Sequence, residues 1–173
     1  MIVVERTLAV RVDAAVAFGY LSDFSNTARW DPAVREATRN DAGPIAPGAS
    51  WHQTCRLLGI TTEMTYTLAE AAPGRLVFHG RNEGATCIDT VVVRPVETGA
   101  EVTYRIELEM HGLAKLATPV IKMEFEKLGT AGANALTEAL NELSPGARAA
   151  ELHFPSDVPH PAALPTRSQE AQA

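Results

Sequence analysis

Glu101-Val102-Thr103-Tyr104-Arg105-Ile106-Glu107-Leu108-Glu109-Met110 alternates polar and apolar side chains for ten residues, and His111-Gly112 ends the pattern. Side chains on a strand point to opposite faces in turn, so this segment has one apolar face and one charged face. A sheet with one wet side is the usual setting for such a strand, and it is normally antiparallel. Beyond Gly112 the period changes from 2 to 3.6. Thr118 is read as a cap and Pro119 suits a first helical position. A helix then runs to about Leu143, with a stripe of Ile121, Phe125, Leu128, Gly132, Ala135, Leu136, Ala139, Leu140 and Leu143. Lys122, Glu126, Lys127, Glu138 and Glu142 fall on its other side. Gly129 and Gly132 each weaken that helix by about 1 kcal/mol relative to Ala. Glycines inside a helix are expected either to permit close approach or to leave open volume.

Working back from Glu101, the same reading predicts strands at about 34–40, 50–58, 60–70, 75–82 and 85–95. They are separated by Gly43-Pro44 to Gly48, Leu58-Gly59, Pro73-Gly74, Glu83-Gly84 and Thr98-Gly99. Connections this short force neighbouring strands into antiparallel pairs. The chain opens with a further strand, Ile2 to Val12. There Val4, Leu8, Val10 and Val12 are assigned to the buried face, and Arg6, Thr7, Ala9 and Arg11 away from it. Asp13 is a candidate cap for a short helix from Ala14 to Leu21. A second helical turn, Ser25 to Arg29, stops at Trp30-Asp31-Pro32, because the residue before proline disfavours helix. Seven strands must cover their apolar face with something, and the long C-terminal helix is the one element large enough. The expected class is therefore α+β, a curved seven-stranded antiparallel sheet around that helix, with two short helices after the first strand.

From Ser144 to Ala173 the chain carries five of its eleven prolines and no apolar period. Such a stretch cannot bury enough surface to offset its ordering entropy, so it reads as a mostly disordered tail in which only Leu152 and Phe154 have apolar bulk to dock. The division is a domain over 1–143 and a Pro/Ala-rich tail over 144–173.

The 173 residues fit one domain. A net charge of −6 with no basic cluster argues against nucleic acid as a partner. Lys115, Lys122 and Lys127 are interleaved with Glu124 and Glu126, which describes a solvated helix face. The first apolar run is broken by charge after Val4, so neither a signal peptide nor a membrane-spanning helix is expected there, nor later in the chain. With two cysteines, Cys55 and Cys87, the expectation is a cytoplasmic protein with reduced thiols, monomeric or homodimeric. His52 and Cys55 have a ligand-like spacing, but on a strand they point to opposite faces, so no metal is expected. The phosphate-binding glycine patterns and the G-x-S-x-G turn are absent, and no cofactor is expected.

The segment Asp13-x-x-x-x-Phe18-x-Tyr20-Leu21-Ser22-Asp23-Phe24-Ser25-Asn26-x-x-x-Trp30-Asp31-Pro32-x-Val34 resembles the entry to the SRPBCC superfamily, which includes START lipid-binding domains, polyketide cyclases and pollen-allergen-type proteins. Gly112-Leu113-Ala114-Lys115-Leu116-Ala117-Thr118-Pro119 is similar to the polyketide cyclase/dehydrase-like bacterial branch. The resemblance spans about residues 1–143 and implies a helix-grip fold with an internal pocket. It carries no universal catalytic motif, so it transfers no residue roles, and fold alone does not choose a function.

Parity supplies the candidate pocket residues. Tyr104 and Tyr66 share a face with Met64 and Leu68. If Arg56 faces water, then Trp51, Gln53, Cys55 and Leu57 turn inward. The expected ligand-binding set is Trp30, Trp51, Gln53, Met64, Tyr66, Phe78, Asp89, Tyr104, Phe125, Gly129 and Gly132. Apolar bulk with a few polar groups is what a small-molecule cavity needs. Asp89 shares parity with Val91 and Val93, so it would lie inside and would need a partner, for which Arg81 and His79 are the candidates. These residues predict a protein that binds a small hydrophobic or aromatic molecule as carrier or sensor. The alternatives are a polyketide cyclase/aromatase or dehydratase-like enzyme using the same pocket, and a protein whose groove takes a lipid or peptide tail. Deleting 144–173 is expected to leave a cooperative thermal transition within a few degrees of the full chain. Loss of cooperativity would make the tail part of the domain.

Overall fold

The computed structural model describes residues 1–143. The tail, with Leu152 and Phe154, lies outside the described residues. Its strands are β1 (Ile2–Val10), β2 (Val34–Arg39), β3 (Ser50–Leu57), β4 (Ile60–Ala72), β5 (Arg75–Arg81), β6 (Ala85–Val96) and β7 (Gly99–Met110). Its helices are α1 (Ala14–Ser22), α2 (Thr27–Trp30) and α3 (Thr118–Asn141), with 3-10 turns at Phe24–Asn26 and Gly112–Ala117.

All strand pairs are antiparallel, in the order β1-β7-β6-β5-β4-β3-β2. The first two strands in sequence are thus the two edges of the sheet, and α1, the first turn and α2 bridge them. Irregularities in β2 between Val34 and Glu36, and in β4 between Leu68 and Glu70, bend the sheet locally. The result is the curved sheet and long helix of the helix-grip architecture.

The alternation read from sequence is the burial pattern of the sheet. Met64, Tyr66 and Leu68 are buried, as are Cys87, Asp89, Val91 and Val93, and likewise Val102, Tyr104 and Leu108. In α3, Ile121, Gly132, Leu136 and Leu140 are buried, while Lys122, Glu126, Lys127, Glu138 and Glu142 are exposed. Pro119 sits in the first turn of α3, where its missing N–H leaves nothing unpaired. Thr118 is the first helical residue, and its hydroxyl donates to the Lys115 carbonyl at 2.6 Å rather than capping the helix. Asp13 stands at the N-cap of α1 but makes no side-chain cap bond. The working carboxylate is Asp23, which accepts from Ser25 N at 3.0 Å and from Trp51 Nε1 at 3.2 Å.

The two helix glycines prove to be different. A Cβ on Gly129 would lie 2.6 Å from Val4 Cγ1, so this glycine lets α3 close onto β1 and does not leave open volume. A Cβ on Gly132 would find only Pro32 Cδ, at 3.6 Å, an ordinary contact. Gly132→Ala is therefore expected to stabilise the fold by about 0.5–1 kcal/mol through helix propensity. Gly129→Ala should gain less or lose, because Val4 must move. Leu136→Ala, at a position 1% exposed, should cost about 2–5 kcal/mol. Lys122→Ala should cost less than about 0.5 kcal/mol. Urea titration of the four variants checks this ranking.

Candidate functional site

One helix is narrower than seven strands. α3 lies on β1 and α2, and between it and the concave face of the sheet remains a cavity of about 780 Å³. Its walls are mainly apolar: Val4 and Leu8 from β1, Met64 from β4, Ile106 and Leu108 from β7, and Ile121, Phe125 and Leu128 from α3. It opens beside the β3–β4 hairpin and the turn before α3. There Leu58 and Ile60 line the opening, and Leu113 and Leu116 stand nearby at 87% and 83% exposure. The hairpin turn is the two-residue Leu58-Gly59, both with positive φ (51° and 81°). That geometry matches the strand twist but is uncommon for leucine.

A polar group sits at the inner wall. The Asp89 carboxylate, on a residue only 4% exposed, accepts from Tyr104 Oη at 2.6 Å and from Cys87 Sγ at 3.0 Å. The Cys87 contact follows from i, i+2 spacing on β6, and the Tyr104 contact from the β6–β7 register, in which Asp89 faces Ile106 and Val91 faces Tyr104. Tyr66 faces the same inner surface from β4. Its ring lies over Gly80, where a Cβ would come within 2.5 Å of it, so the glycine makes room for the phenol. Nearby, Gln53 Nε2 donates to Thr27 Oγ1 at 2.6 Å, and Thr27 Oγ1 donates to Phe24 O at 2.7 Å.

Burial pushes Asp89 up to about 6, against the pull of the bonds from Tyr104 and Cys87. It holds Tyr104, Tyr66 and Cys87 well above their ordinary values, and Asp89's charge adds to each. Cys55 is pushed up to about 12 by burial and then by Asp31 and Asp89. Neither thiol is a reactive thiolate near neutral pH. Asp31, which also lines the cavity, is raised by burial against backbone bonds from Ala33 and Val34.

Of the residues selected from sequence, Trp30, Gln53, Met64, Tyr66, Asp89, Tyr104, Phe125, Gly129 and Gly132 line the cavity. Trp30 stacks edge-on against Tyr104, with ring centroids 5.2 Å apart. Trp51 and Phe78 do not line it. Both are fully buried and pack on Phe24, at 6.1 and 4.3 Å between centroids, so Phe24 seals them off from the space. The expected cations beside Asp89 are also absent: Arg81 and His79 are both exposed, and Phe78 is the residue opposite Asp89. Arg6 is the reverse case. It shares parity with Val4 and Leu8, faces inward, and pairs with Glu126 Oε2 of α3 at 2.9 Å. Its charge disguised it in the sequence, although its position in the alternation is the signal that places it.

Among the described residues, no three His, Cys, Asp or Glu side chains converge as a metal site requires, and Cys55 and Cys87 are both free. No described helix is long and apolar enough to cross a membrane.

A curved sheet gripping one long helix over an internal cavity defines a ligand-binding class of domain. Residues 1–143 match the family described as polyketide cyclase / dehydrase and lipid transport, and the chain belongs to that family. Similar folds include a START superfamily protein from Mycobacterium smegmatis (TM-score 0.69, 13% identity, covering 82% of this chain and 99% of that one). The Zhui aromatase/cyclase from Streptomyces sp. R1128 is also similar (TM-score 0.67, 12% identity, 80% and 92% covered). So is the major latex-like protein 151 of Panax ginseng (TM-score 0.59, 10% identity, 79% and 95% covered). At these identities the likeness is one of fold. No curated protein matches the sequence.

The buried carboxylate has a consequence for stability. Its folded value of about 6 exceeds the ordinary 3.8 that the unfolded chain retains. Between those values the folded state holds a proton that the unfolded state has lost, so this group adds stability as pH falls from about 6 toward 4. The same contribution is lost as pH rises through about 6. Asp89→Asn should remove that slope, which for the wild type amounts to on the order of 3 kcal/mol. Denaturant titrations at pH 7 and pH 4.5 should capture about 2 kcal/mol of it.

Proposed function

We propose that residues 1–143 form a cytoplasmic binding domain for a small, largely apolar or aromatic molecule, held between the sheet and α3 as by a carrier or sensor. The observation that carries this reading is the cavity itself. Its volume of about 780 Å³ falls within the range that encloses small ligands. Interiors normally pack to crystal-like density, so a void of this size inside a formed core calls for an occupant. The wall has the composition of a binding site, with apolar side chains over most of it and one compact polar cluster to orient the guest.

A second reading, an enzyme of the cyclase or dehydratase kind, draws support from Asp89. A carboxyl raised to about 6 and bonded to a phenol can take or give a proton near neutral pH. The carrier reading is favoured because, among the described residues, no cation and no activated nucleophile stands beside that carboxyl.

A matching apolar ligand at a hundred times its dissociation constant should stabilise the fold by about 2.7 kcal/mol. That raises the melting temperature by about 5–10 °C for a domain of this size. Gly132→Leu projects bulk from a lining position and should abolish the shift while the protein stays folded. A broad panel of aromatic and acyl compounds that gives no shift overturns the reading. Tyr104→Phe separates the two roles: in a carrier it weakens binding modestly, whereas in an enzyme it lowers turnover more than affinity.

A further inference from the structure

The two donors that reach Asp89 are already given to it. Among the described residues every fully buried side-chain nitrogen and oxygen has a hydrogen-bond partner. The Tyr104 hydroxyl gives its one hydrogen to Asp89 Oδ2, and the Cys87 thiol gives its own to Asp89 Oδ1. What remains is acceptor capacity. An ionised carboxylate has about four lone-pair sites and two of these are used, while the Tyr104 oxygen keeps its lone pairs. The other charged group lining this part of the space, Asp31, is an acceptor as well. Among the described residues Arg6 is the one cation lining the cavity, and it donates to Glu126 Oε2 at 2.9 Å, to the Glu126 carbonyl at 3.2 Å and to Thr130 at 3.4 Å.

We propose that the ligand carries a neutral hydroxyl, phenolic or alcoholic, on an otherwise apolar skeleton, and donates it to the Asp89 carboxylate. This rests on the binding role proposed above and names the chemistry of the guest. A carboxylate-headed guest such as a fatty acid, set against Asp89, brings a second negative charge to it, and like charges in an apolar space repel strongly. A guest with only ether or ketone oxygens leaves the carboxylate lone pairs facing hydrocarbon, which a site built to accept a hydrogen bond penalises. An ammonium would have to shed its water inside an apolar space, a cost that buried ion pairs seldom recover. A hydroxyl completes the cluster without bringing in a second charge.

The groups that face Asp89 from the surrounding elements are Cys87 on β6, Tyr104 on β7, Tyr66 on β4, Cys55 on β3 and Asp31 after α2. α3 contributes no titratable side chain to the cavity lining, and Arg6 of β1 is held by Glu126. Of these, Asp89 is the one placed at about 6, so the preference for a hydroxyl should follow its ionisation.

Fluorescence titration of the full chain with 1-hydroxypyrene, 1-methoxypyrene and pyrene-1-carboxylate tests the proposal. At pH 8 the hydroxyl compound should bind about 10–100-fold more tightly than the methoxy compound, the range expected for a hydrogen bond to a charged group. The carboxylate should bind most weakly. At pH 5, with Asp89 protonated and itself a donor, the hydroxyl advantage should shrink and the methoxy and carboxylate compounds should gain. Asp89→Asn, nearly isosteric, should reduce the hydroxyl preference at pH 8 to below about threefold and flatten its pH dependence. Should that variant not fold, the ranking and pH profile of the wild type decide alone. Equal binding of all three compounds, or tightest binding of the carboxylate, overturns the donor assignment and leaves the cavity reading intact. Binding of none, with no thermal shift from any of them, overturns both.

Discussion

Everything in this domain follows from a mismatch of widths. Seven antiparallel strands present a concave apolar face that must be covered, and the sequence supplies one helix of 24 residues to cover it. The helix settles at one side, against β1 and α2, where Gly129 lets the backbones close past Val4. Over β4, β6 and β7 the helix stands off, and the space left there is the cavity. A binding domain of this kind is a consequence of geometry before it is one of chemistry. The sheet curves enough to grip the helix, yet not enough to close on it.

The short elements between β1 and β2 make that mismatch tolerable. Because the first two strands form opposite edges, the chain must cross the full span of the sheet, and it does so with α1, a 3-10 turn and α2. Phe24 from the turn packs against Trp51, Tyr66 and Phe78, so one end of the concave face is filled by aromatic rings and the cavity is confined to the other. Thr27 and Asp31 come from the same stretch and set polar atoms at the boundary between the packed and open regions. The bridge therefore fixes where the core ends and the cavity begins.

Strand parity made much of this legible in the sequence. The alternation in Glu101 to Met110, and the change of period after Gly112, yield the sheet, the helix and its wet face from residue types alone. Parity also placed Asp89, Tyr104 and Tyr66 on one inner surface. It failed wherever depth along a strand mattered. Trp51 and Phe78 point inward as expected, but whether an inward residue meets solid core or open space depends on Phe24, which sits far away in sequence and on a different element. Arg6 failed for another reason. A charge at an inward position was assigned outward because isolated burial of a guanidinium is costly, and the partner that makes it affordable, Glu126, is 120 residues away. The same blindness gave Asp89 two cations it does not have.

That last difference bears on what kind of site this is. A carboxylate paired with Arg81 would have been a closed ion pair, with its charge balanced and its hydrogen bonds complete. Burial instead raises Asp89 toward neutrality, and the phenol and thiol bonded to it pull back less than an arginine would. A purely structural position would be better served by an apolar residue, since burying an unbalanced carboxyl costs stability at neutral pH. The cost is incurred where the inner wall of a largely apolar cavity turns polar. Local rules of packing are most often broken where a protein binds or reacts. Placing Asp89 between Tyr104 and Cys87, with the open cavity beside it, puts such a break where a ligand's own hydrogen-bond donor can repair it.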